Sequence, residues 1–234
     1  MVLPTPAPKQ PLDVAYYAEL QRRFFDILRY ISCHERNFDT YSIVLESLLV
    51  DSSSFFDSLS QQFIRDKVSS GHTFAAQHRI QDFALKASGQ ENFNFGDYRT
   101  LLEDDLTISA MEVNLNPYED AYFGNPHRCR PDLVSGYLLA PFREWASSGA
   151  SPWWKAFTDL KHDRISNFRC ATLGNTVRAL AATFIMLTFR NEPDFKTGLV
   201  APEMYDLCLR VPALDAGPGS RSTFRPAPFP YSLT

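Results

Sequence analysis

The densest group of titratable side chains in the sequence is Lys161-His162-Asp163-Arg164, within the stretch SPWWKAFTDLKHDRISNFRC at residues 151–170. Histidine titrates near neutral pH, so it can donate or accept a proton during a reaction. Arginine and lysine can hold a phosphate group and stabilise the charge that develops on it. These side chains together are a candidate site for proton transfer beside a bound phosphate group.

A helix is expected to carry this group, with Ser151 as its N-cap and Pro152 in its first turn. The same helix is expected to continue into the apolar run ALAATFIMLTF at residues 179–189. Its apolar stripe turns polar towards the N-terminal end, which predicts a cleft at the rim of the helical core. The predicted apolar members of the stripe are Leu173, Val177, Leu180, Phe184 and Leu187.

The rotation of a helix by about 100° per residue decides which polar residues share a face. Relative to His162, Ser166 lies at about 40° and Arg169 at about −20°, and Lys155 lies further back on the same line. Arg164 is turned away by about 200°, so His162 and Arg169 are expected to cooperate without it.

These positions predict a role for each side chain of an active surface. His162 is the candidate general acid or base, and Arg169 or Lys155 is the candidate phosphate ligand. The residues predicted to contact the substrate are Lys161, Arg164, Ser166 and Trp154.

The same residues also fit a purely structural role. Polar side chains are common in the first turns of a core helix, and a histidine at a bundle rim is more often hydrogen-bonded than catalytic. Trp153 and Trp154 fit core anchors better than platforms for base stacking. The structural alternative predicts that His162 contributes to stability and that there is no activity to lose.

Composition limits the classes of function. Of the 234 residues 44% are apolar and 21% are charged, so the chain can bury a substantial core. The formal net charge of −4 argues against attraction of the whole molecule to nucleic acid or to an anionic membrane. It leaves room for a local basic patch. The basic loop at residues 126–131 is interpreted as solvated surface, with phosphate binding as the alternative.

Cysteine spacing and apolar runs predict a cytoplasmic protein without cofactors. None of the cysteines forms a C-x-x-C pair and no histidine pair has metal-binding spacing, so reduced thiols and no metal are expected. The first 11 residues lack the apolar segment of a signal peptide. The run at residues 179–189 is too short to span a bilayer, so no membrane association is expected. The cysteines are Cys33, Cys129, Cys170 and Cys208.

Most of the chain has helical periodicity. Asn37 or Asp39 is expected to cap the second helix, Gly71 to end it, and residues 52–54 to mark a break. Asn94 is expected to cap a later helix and Gly89 to end the one before it. Helical segments are expected at residues 13–34, 39–71, about 77–88, about 95–104, 141–149, 152–189 and about 201–210.

Residues 106–140 differ from this pattern. LTISAMEVNLNP alternates and ends in a turn signal, and LVSGYLLAPF is a candidate partner strand. We expect a small β-hairpin inserted at about residues 105–140. Proline-rich segments at 1–11 and 212–234 are expected to be extended tails, which leaves a single helical domain at 12–211. The predicted fold class is therefore a mainly α helical bundle with one small hairpin.

Two segments together resemble HEPN-like bacterial proteins, which carry the higher eukaryotes and prokaryotes nucleotide-binding domain. They are residues 28–50, LRYISCHERNFDTYSIVLESLLV, and residues 140–187, which contain PWWKAFTDLKHDR and the apolar helix after it. The likeness covers roughly residues 13–190 and is most specific at PWWKAFTDLKHDR.

The resemblance implies an up-and-down helical bundle that acts as a homodimer and binds RNA or a nucleotide without a metal. Many such proteins are metal-independent endoribonucleases of toxin–antitoxin or phage-defence systems, so an antitoxin or defence-system partner is expected. The alternative is a catalytically inactive nucleotide-binding or protein-assembly module.

The active motif of these proteins is R-x4-6-H. Lys155 precedes His162 as K-x6-H, so lysine stands where the motif has arginine. The resemblance also implies an alternative in which residues 161–164 start with a non-helical turn that lets His162 and Arg164 converge. Two pairs match the motif by spacing, and both lie in the first half of the chain. They are Arg29 with His34 and Arg65 with His72.

Overall fold

The computed structural model describes residues 11–115, 137–147 and 149–191, and the mainly helical class predicted from the sequence is confirmed within them. The α-helices are α1 Leu12–Leu28, α2 Ile43–Ser69, α3 Phe83–Ala87, α4 Phe95–Leu106, α5 Pro152–His162 and α6 Leu173–Arg190. The strands are β1 Val113–Leu115 and β2 Tyr137–Leu139. Short 3-10 helices lie at Glu35–Asn37, Gln77–Arg79, Ile108–Ala110, Arg143–Ser147 and Phe168–Cys170.

Helices α2 and α6 run parallel to each other and form the closest helix pair. The Thr176 hydroxyl donates to Leu45 O at 3.3 Å, and the Thr183 hydroxyl donates to Ser52 O at 2.9 Å. Both threonines also donate to the carbonyl four residues earlier in α6. Their buried hydroxyls therefore have partners on both helices, which lets the two backbones approach closely.

Helices α1 and α5 run opposite to α2 and α6. The Tyr17 hydroxyl of α1 lies 3.4 Å from Leu180 O, and Asn191 after α6 donates to Asp13 at the start of α1. The start of α5 packs on the middle of α2, whereas the segment after α5 reaches the first turn of α2. The end of α5, the start of α2 and the start of α6 consequently lie at one end of the bundle.

Helix α1 buries one face, as its periodicity predicts, but it ends at Leu28 and not at residue 34. The segment after it is held by local side-chain bonds. Asn37 donates to Ser32 O at 2.8 Å, and His34 Nδ1 accepts from the Arg36 N–H at 3.1 Å. Such bonds compete with continuation of the helix. The buried residues of α1 include Val14, Tyr17, Leu20, Phe24 and Ile27.

Helix α2 is continuous, so the predicted break at residues 52–54 is wrong. Ser52 and Ser53 are buried, and the first of them lies at the close contact with α6, where a small side chain fits. The N-cap is Ser42, whose hydroxyl accepts from the Leu45 N–H at 3.2 Å, and not Asn37 or Asp39. Gly71 follows the helix with φ of +87°, as expected for a glycine that ends a helix.

The segment predicted as a helix at about 77–88 contains only the 3-10 helix Gln77–Arg79 and the five-residue α3. Asp82 between them has φ of +52°, which interrupts the helix. The next prediction is confirmed, because Asn94 accepts from the Asp97 N–H and Asp97 accepts from the Asn94 N–H. This reciprocal pair is a capping box that fixes the start of α4.

Strands β1 and β2 pair antiparallel over three residues each, with Val113 opposite Leu139. The connection at residues 116–136 lies outside the described residues, so the inserted hairpin as a whole stays a prediction. The tails, the basic loop at 126–131 and the helix predicted at about 201–210 also lie outside the described residues, apart from Pro11. None of the helices in the described part of the chain is both long and apolar enough to cross a membrane.

An aromatic cluster holds the start of α5. Trp153 is completely buried, and its indole N–H donates to Pro141 O at 2.9 Å. Ser151 occupies the N-cap position and Pro152 the first turn, as predicted, but the Ser151 hydroxyl donates to Pro141 O and makes no capping bond to the helix. The rings of the cluster include Phe56, Phe95, Phe142, Trp145, Trp153 and Trp154.

Candidate functional site

Helix α5 ends at His162, so the continuous helix predicted from the sequence is wrong. Asp163 follows in an extended conformation, with φ of −149° and ψ of 92°. The side-chain amide of Asn167 donates to the carbonyl oxygens of Asp159 and Asp163, at 3.0 Å each. Each carbonyl also accepts a backbone N–H, that of Asp163 or that of Asn167, so the two amide bonds add to the backbone bonds that end α5.

The next helix begins only at Leu173. Its N-cap is Thr172, whose hydroxyl accepts from the Asn175 N–H at 3.2 Å. Residues 163–172 between the two helices form a turn and the short 3-10 helix Phe168–Cys170.

His162, Ser166 and Arg169 therefore do not share a helical face, because the rotation per residue applies only within one helix. The apolar half of the predicted stripe is confirmed, and it belongs entirely to α6. Between the two helices, side-chain hydrogen bonds of aspartate, asparagine and threonine stabilise a turn. These bonds are why the chain does not form the single helix that the periodicity predicts. The buried stripe of α6 includes Leu173, Val177, Leu180, Phe184 and Leu187.

We refer to residues 161–169 as the basic turn. Three cationic side chains against one carboxylate give it a formal charge of +2, opposite in sign to the −4 of the whole chain. Lys161 and His162 lie in the last turn of α5, where positive charge is favoured by the helix dipole. The exposed basic side chains of the turn are Lys161, His162, Arg164 and Arg169.

Hydrogen bonds inside the turn involve Ser166 and Asp163. The Asp163 carboxylate accepts from the Ser166 N–H at 3.1 Å, and hydrogen bonds from Ser166 lower the pKa of Asp163 below its ordinary value. Ser166, predicted to contact a substrate, therefore shapes the turn. Ile165, between Asp163 and Ser166, is 91% exposed.

Two basic side chains of the turn, those of His162 and Arg169, make no hydrogen bond or ion pair with any residue in the described part of the chain. Lys161 lies over the ring of Phe157, with Nζ 4.9 Å from the ring centre. It has no carboxylate partner among the described residues either. Three basic groups of the turn are thus free of acidic partners within that part of the protein.

Arg164 has a partner that the sequence reasoning missed. Its Nε lies 2.8 Å from Oε1 of Glu46, in the first turn of α2. The Glu46 side chain is only 7% exposed. Glu46 is a single charge in the apolar run IVLESLLV, and a charge at a core position of a helix is the signal that identifies it. No hydrogen bond or ion pair joins His162 to Arg164 among the described residues. The alternative in which they converge in a non-helical turn therefore stays a prediction.

The start of α6, which follows the basic turn, is attached to the loop at residues 29–42. Leu173 N–H donates to Thr40 O at 2.8 Å, and Gly174 N–H donates to Phe38 O at 3.0 Å. A Cβ at Gly174 would lie 3.0 Å from the Phe38 Cβ, so glycine permits this close approach. The two loops therefore cover the same end of the bundle side by side.

Apolar side chains are exposed around this end of the bundle. Tyr41 is 44% exposed, and its ring meets the edge of the Phe168 ring with centroids 5.6 Å apart. Ile43 and Val44, in the same helical turn as the ion-pair partner of Arg164, are 74% and 56% exposed. The surface thus combines cations with apolar groups.

Two other predicted site residues lie apart from the basic turn. Lys155 precedes His162 by seven residues, or about 10 Å along α5. Its ammonium lies 2.6 Å from the Asp159 carboxylate, and that hydrogen bond raises the pKa of Lys155. Trp154 stacks on Phe95 with centroids 4.3 Å apart, as a core anchor does.

The first of the two pairs with motif spacing is Arg29 with His34. Arg29 lies 3.6 Å from Asp26, and His34 accepts from the Arg36 N–H. Arg29 therefore pairs with the last turn of α1, and His34 with the loop after it.

The second pair is Arg65 with His72, and its members also have separate partners. Arg65 donates to the backbone oxygens of Lys86 and Glu91. His72 Nε2 lies 2.8 Å from the Asp105 carboxylate, which fixes the ring on α4. Neither pair presents a free arginine and histidine together.

Among the described residues, no group of three or more histidine, cysteine, aspartate or glutamate side chains could hold a metal ion. Comparison of the chain with protein-family models, curated proteins and solved structures finds no match. The HEPN-like resemblance therefore stays a prediction based on the sequence segments that carry it.

Proposed function

We propose that the chain binds single-stranded RNA through the basic turn. The observation that carries this proposal is that Lys161, His162 and Arg169 are exposed without an acidic partner among the described residues. Exposed cations without a carboxylate partner can form charge-assisted hydrogen bonds with phosphate. Those of the turn are available to phosphate oxygens.

The neighbouring aromatic ring fits the same ligand. RNA single strands bind where cations follow the backbone and aromatic side chains stack on bases. Tyr41 is partly exposed beside the turn, next to Phe168. Because the whole chain is negatively charged, contact with RNA would be confined to this end of the bundle.

Cleavage is the finer form of the proposal. His162 would transfer the proton, with Arg169 as phosphate ligand and a second copy across a dimer supplying the other proton-transfer group. A catalytic histidine is usually oriented by a hydrogen bond to its second nitrogen, and His162 has no such partner among the described residues. The geometry therefore supports binding better than cleavage.

Binding is tested by fluorescence anisotropy with a labelled single-stranded RNA. Lys161→Gln is expected to weaken binding several-fold. Lys67→Gln is the matched control, because Lys67 also lies over a phenylalanine of its own helix, 5.4 Å from the Phe63 ring centre. It lies near the end of α2 that is remote from the turn, so its loss should leave binding unchanged. Equal effects of both substitutions, or no binding by the wild type, would refute the proposal.

Cleavage is tested with the same RNA, with and without EDTA, over a range of protein concentrations. Cleavage that persists in EDTA and is lost in His162→Ala supports a metal-independent endoribonuclease. Binding without cleavage supports a binding module. An antitoxin or defence-system partner is proposed from the resemblance alone.

A second candidate function, protein assembly, is favoured by the exposed aliphatic side chains of the same end. Ile165 is 91% exposed and Ile43 is 74% exposed. Exposed aliphatic side chains of this kind would be stabilised by burial against a partner protein. If a homodimer buries these side chains, Ile165→Ser should shift the molar mass measured by light scattering from that of a dimer towards that of a monomer. An unchanged monomer mass in wild type and variant would exclude self-assembly through this surface.

A further inference from the structure

We infer that Glu46 is the positioning residue of the basic turn, because its buried carboxylate holds Arg164 and thereby fixes the turn that presents the remaining cations. This inference rests on the proposed RNA binding. It assigns a role to a residue of α2 that contacts no ligand itself.

The contact between Glu46 and Arg164 joins a buried group to an exposed one. The Glu46 side chain is 7% exposed, whereas that of Arg164 is 63% exposed. Oε1 of Glu46 lies 2.8 Å from Arg164 Nε, close enough for an ion pair, but it accepts no well-aligned hydrogen bond from the described residues. Arg164 is the cation paired with this carboxylate in the described part of the chain.

A buried carboxylate is strongly destabilising when its cationic partner is removed. Movement of Arg164 into solvent would leave Glu46 in that state. The folded chain therefore favours the arrangement in which Arg164 lies against the first turn of α2. Because Arg164 is in the middle of the basic turn, the ion pair attaches the turn to α2.

The attachment adds to two others that act nearer the ends of the turn. Asn167 is bonded to the end of α5, and the start of α6 is bonded to Thr40. Without Glu46, the turn would keep its internal bonds, those of Ser166 and Asn167 to Asp163, but would lose the contact that joins Arg164 to α2. Lys161, His162 and Arg169 lie on either side of Arg164, so its attachment sets their separation.

Positioning and simple electrostatics predict effects of opposite sign for Glu46→Gln. Removal of a negative charge beside a phosphate-binding surface should by itself strengthen RNA binding. Loss of the attachment should weaken binding, because the cations would then be ordered only at the cost of side-chain and backbone entropy. The direction of the change therefore identifies the role of Glu46.

The binding experiment uses the full chain and a labelled single-stranded RNA. Glu46→Gln and Arg164→Gln are each expected to weaken binding roughly tenfold, and the double variant is expected to be no weaker than either. The matched control is Asp51→Asn, which removes a carboxylate of the same helix that is ion-paired to Arg23 at 2.7 Å. It should leave binding within about twofold of the wild type or strengthen it.

A second measurement is independent of RNA. Hydrogen exchange at the Ser166 and Asn167 amides is expected to become faster in Glu46→Gln and in Arg164→Gln. Ser42→Ala is the structural control, because it removes the N-cap of α2 beside Glu46 without touching Arg164. It should lower the melting temperature and leave both amides protected relative to global unfolding. Arg164→Lys, which keeps the charge, should restore part of the protection.

The two measurements separate the failure of this inference from the failure of the proposed function. Wild-type protein that binds no RNA, with faster amide exchange in Glu46→Gln, would refute RNA binding and retain the positioning role of Glu46. Tighter binding by Glu46→Gln, or unchanged exchange at both amides, would overturn the positioning role. Loss of RNA binding in Ser42→Ala equal to that in Glu46→Gln would also overturn it, since general destabilisation would then explain both.

Discussion

The polar side chains at the two ends of helix α5 differ in their hydrogen bonding. At its start, Ser151 and Trp153 both donate to the same carbonyl of Pro141, at 2.9 Å each. At its end, His162 is exposed with no hydrogen-bonding partner in the described part of the chain, and so is Arg169 beyond it. One helix thus joins a segment whose polar groups are used by the fold to a segment in which several basic side chains are left to solvent.

The difference separates side chains that hold the fold from those available to a ligand. A buried polar group must be paired, because an unpaired one destabilises the folded state. An exposed cation gains little stability from any partner and is kept at little cost. Substitutions at the start of α5 should therefore change stability, and substitutions at its end should change binding.

The largest expected effect is at the buried start. Trp153→Ala should lower the free energy of unfolding by about 3–5 kcal/mol, because it empties a site packed against several aromatic rings. Urea denaturation followed by circular dichroism measures the change. A loss below about 1 kcal/mol would show that the aromatic cluster is not part of the cooperative core.

An intermediate effect is expected where the helix ends. Asn167→Ala should lower the free energy of unfolding by about 0.5–1.5 kcal/mol, since two side-chain hydrogen bonds are lost to carbonyls that keep their backbone N–H donors. The same urea titration measures it, with Gln90→Ala as an exposed control. Equal stabilities of Asn167→Ala and Gln90→Ala would show that the asparagine does not stabilise the end of α5.

A pH dependence is expected within the turn. Hydrogen bonds from Ser166 lower the pKa of Asp163, so the folded form favours the ionised carboxylate. The contribution of this bond is present above the ordinary pKa of aspartate and is lost as pH falls through the lower folded value. Exchange of the Ser166 amide, relative to amides of α6, should therefore accelerate below about pH 4. Asp163→Ala should remove this acceleration, and its persistence in that variant would assign it to another group.

The smallest effect on stability is expected at the exposed end. Arg169→Gln and Lys161→Gln should each change the free energy of unfolding by less than about 0.5 kcal/mol. Thermal melts measure the change, with the wild type as reference. A loss above about 1 kcal/mol would place these side chains in the fold and not at a ligand surface.

The sequence predicted the buried parts of the fold better than the exposed ones. The apolar spacing of α1 and of α6 correctly identified their buried faces, because burial of apolar side chains dominates the energy of a helix in a domain. Asn94 identified the start of α4, since its cap is a local bond between side chain and backbone. Both signals act within one helix.

Contacts between distant segments were beyond that reasoning. The ion pair of Arg164 with Glu46 joins residues far apart in sequence, and no periodicity predicts which cation meets a buried carboxylate. The break after His162 has a local signal in Asp163 and Asn167, which form turn bonds readily. This signal was missed because the apolar residues of the two helices fit one uninterrupted helical period, which predicted a single helix.

The most direct test of the account is the salt dependence of RNA binding by the wild type and by the Lys161→Gln/Arg169→Gln variant. The wild type should bind a single-stranded RNA with log K falling linearly against log salt concentration. The slope of the variant should be less steep by about 1.4, because two phosphate contacts on a single strand are lost. Equal slopes for both proteins, or no RNA binding by the wild type, would contradict the proposal that the basic turn binds RNA.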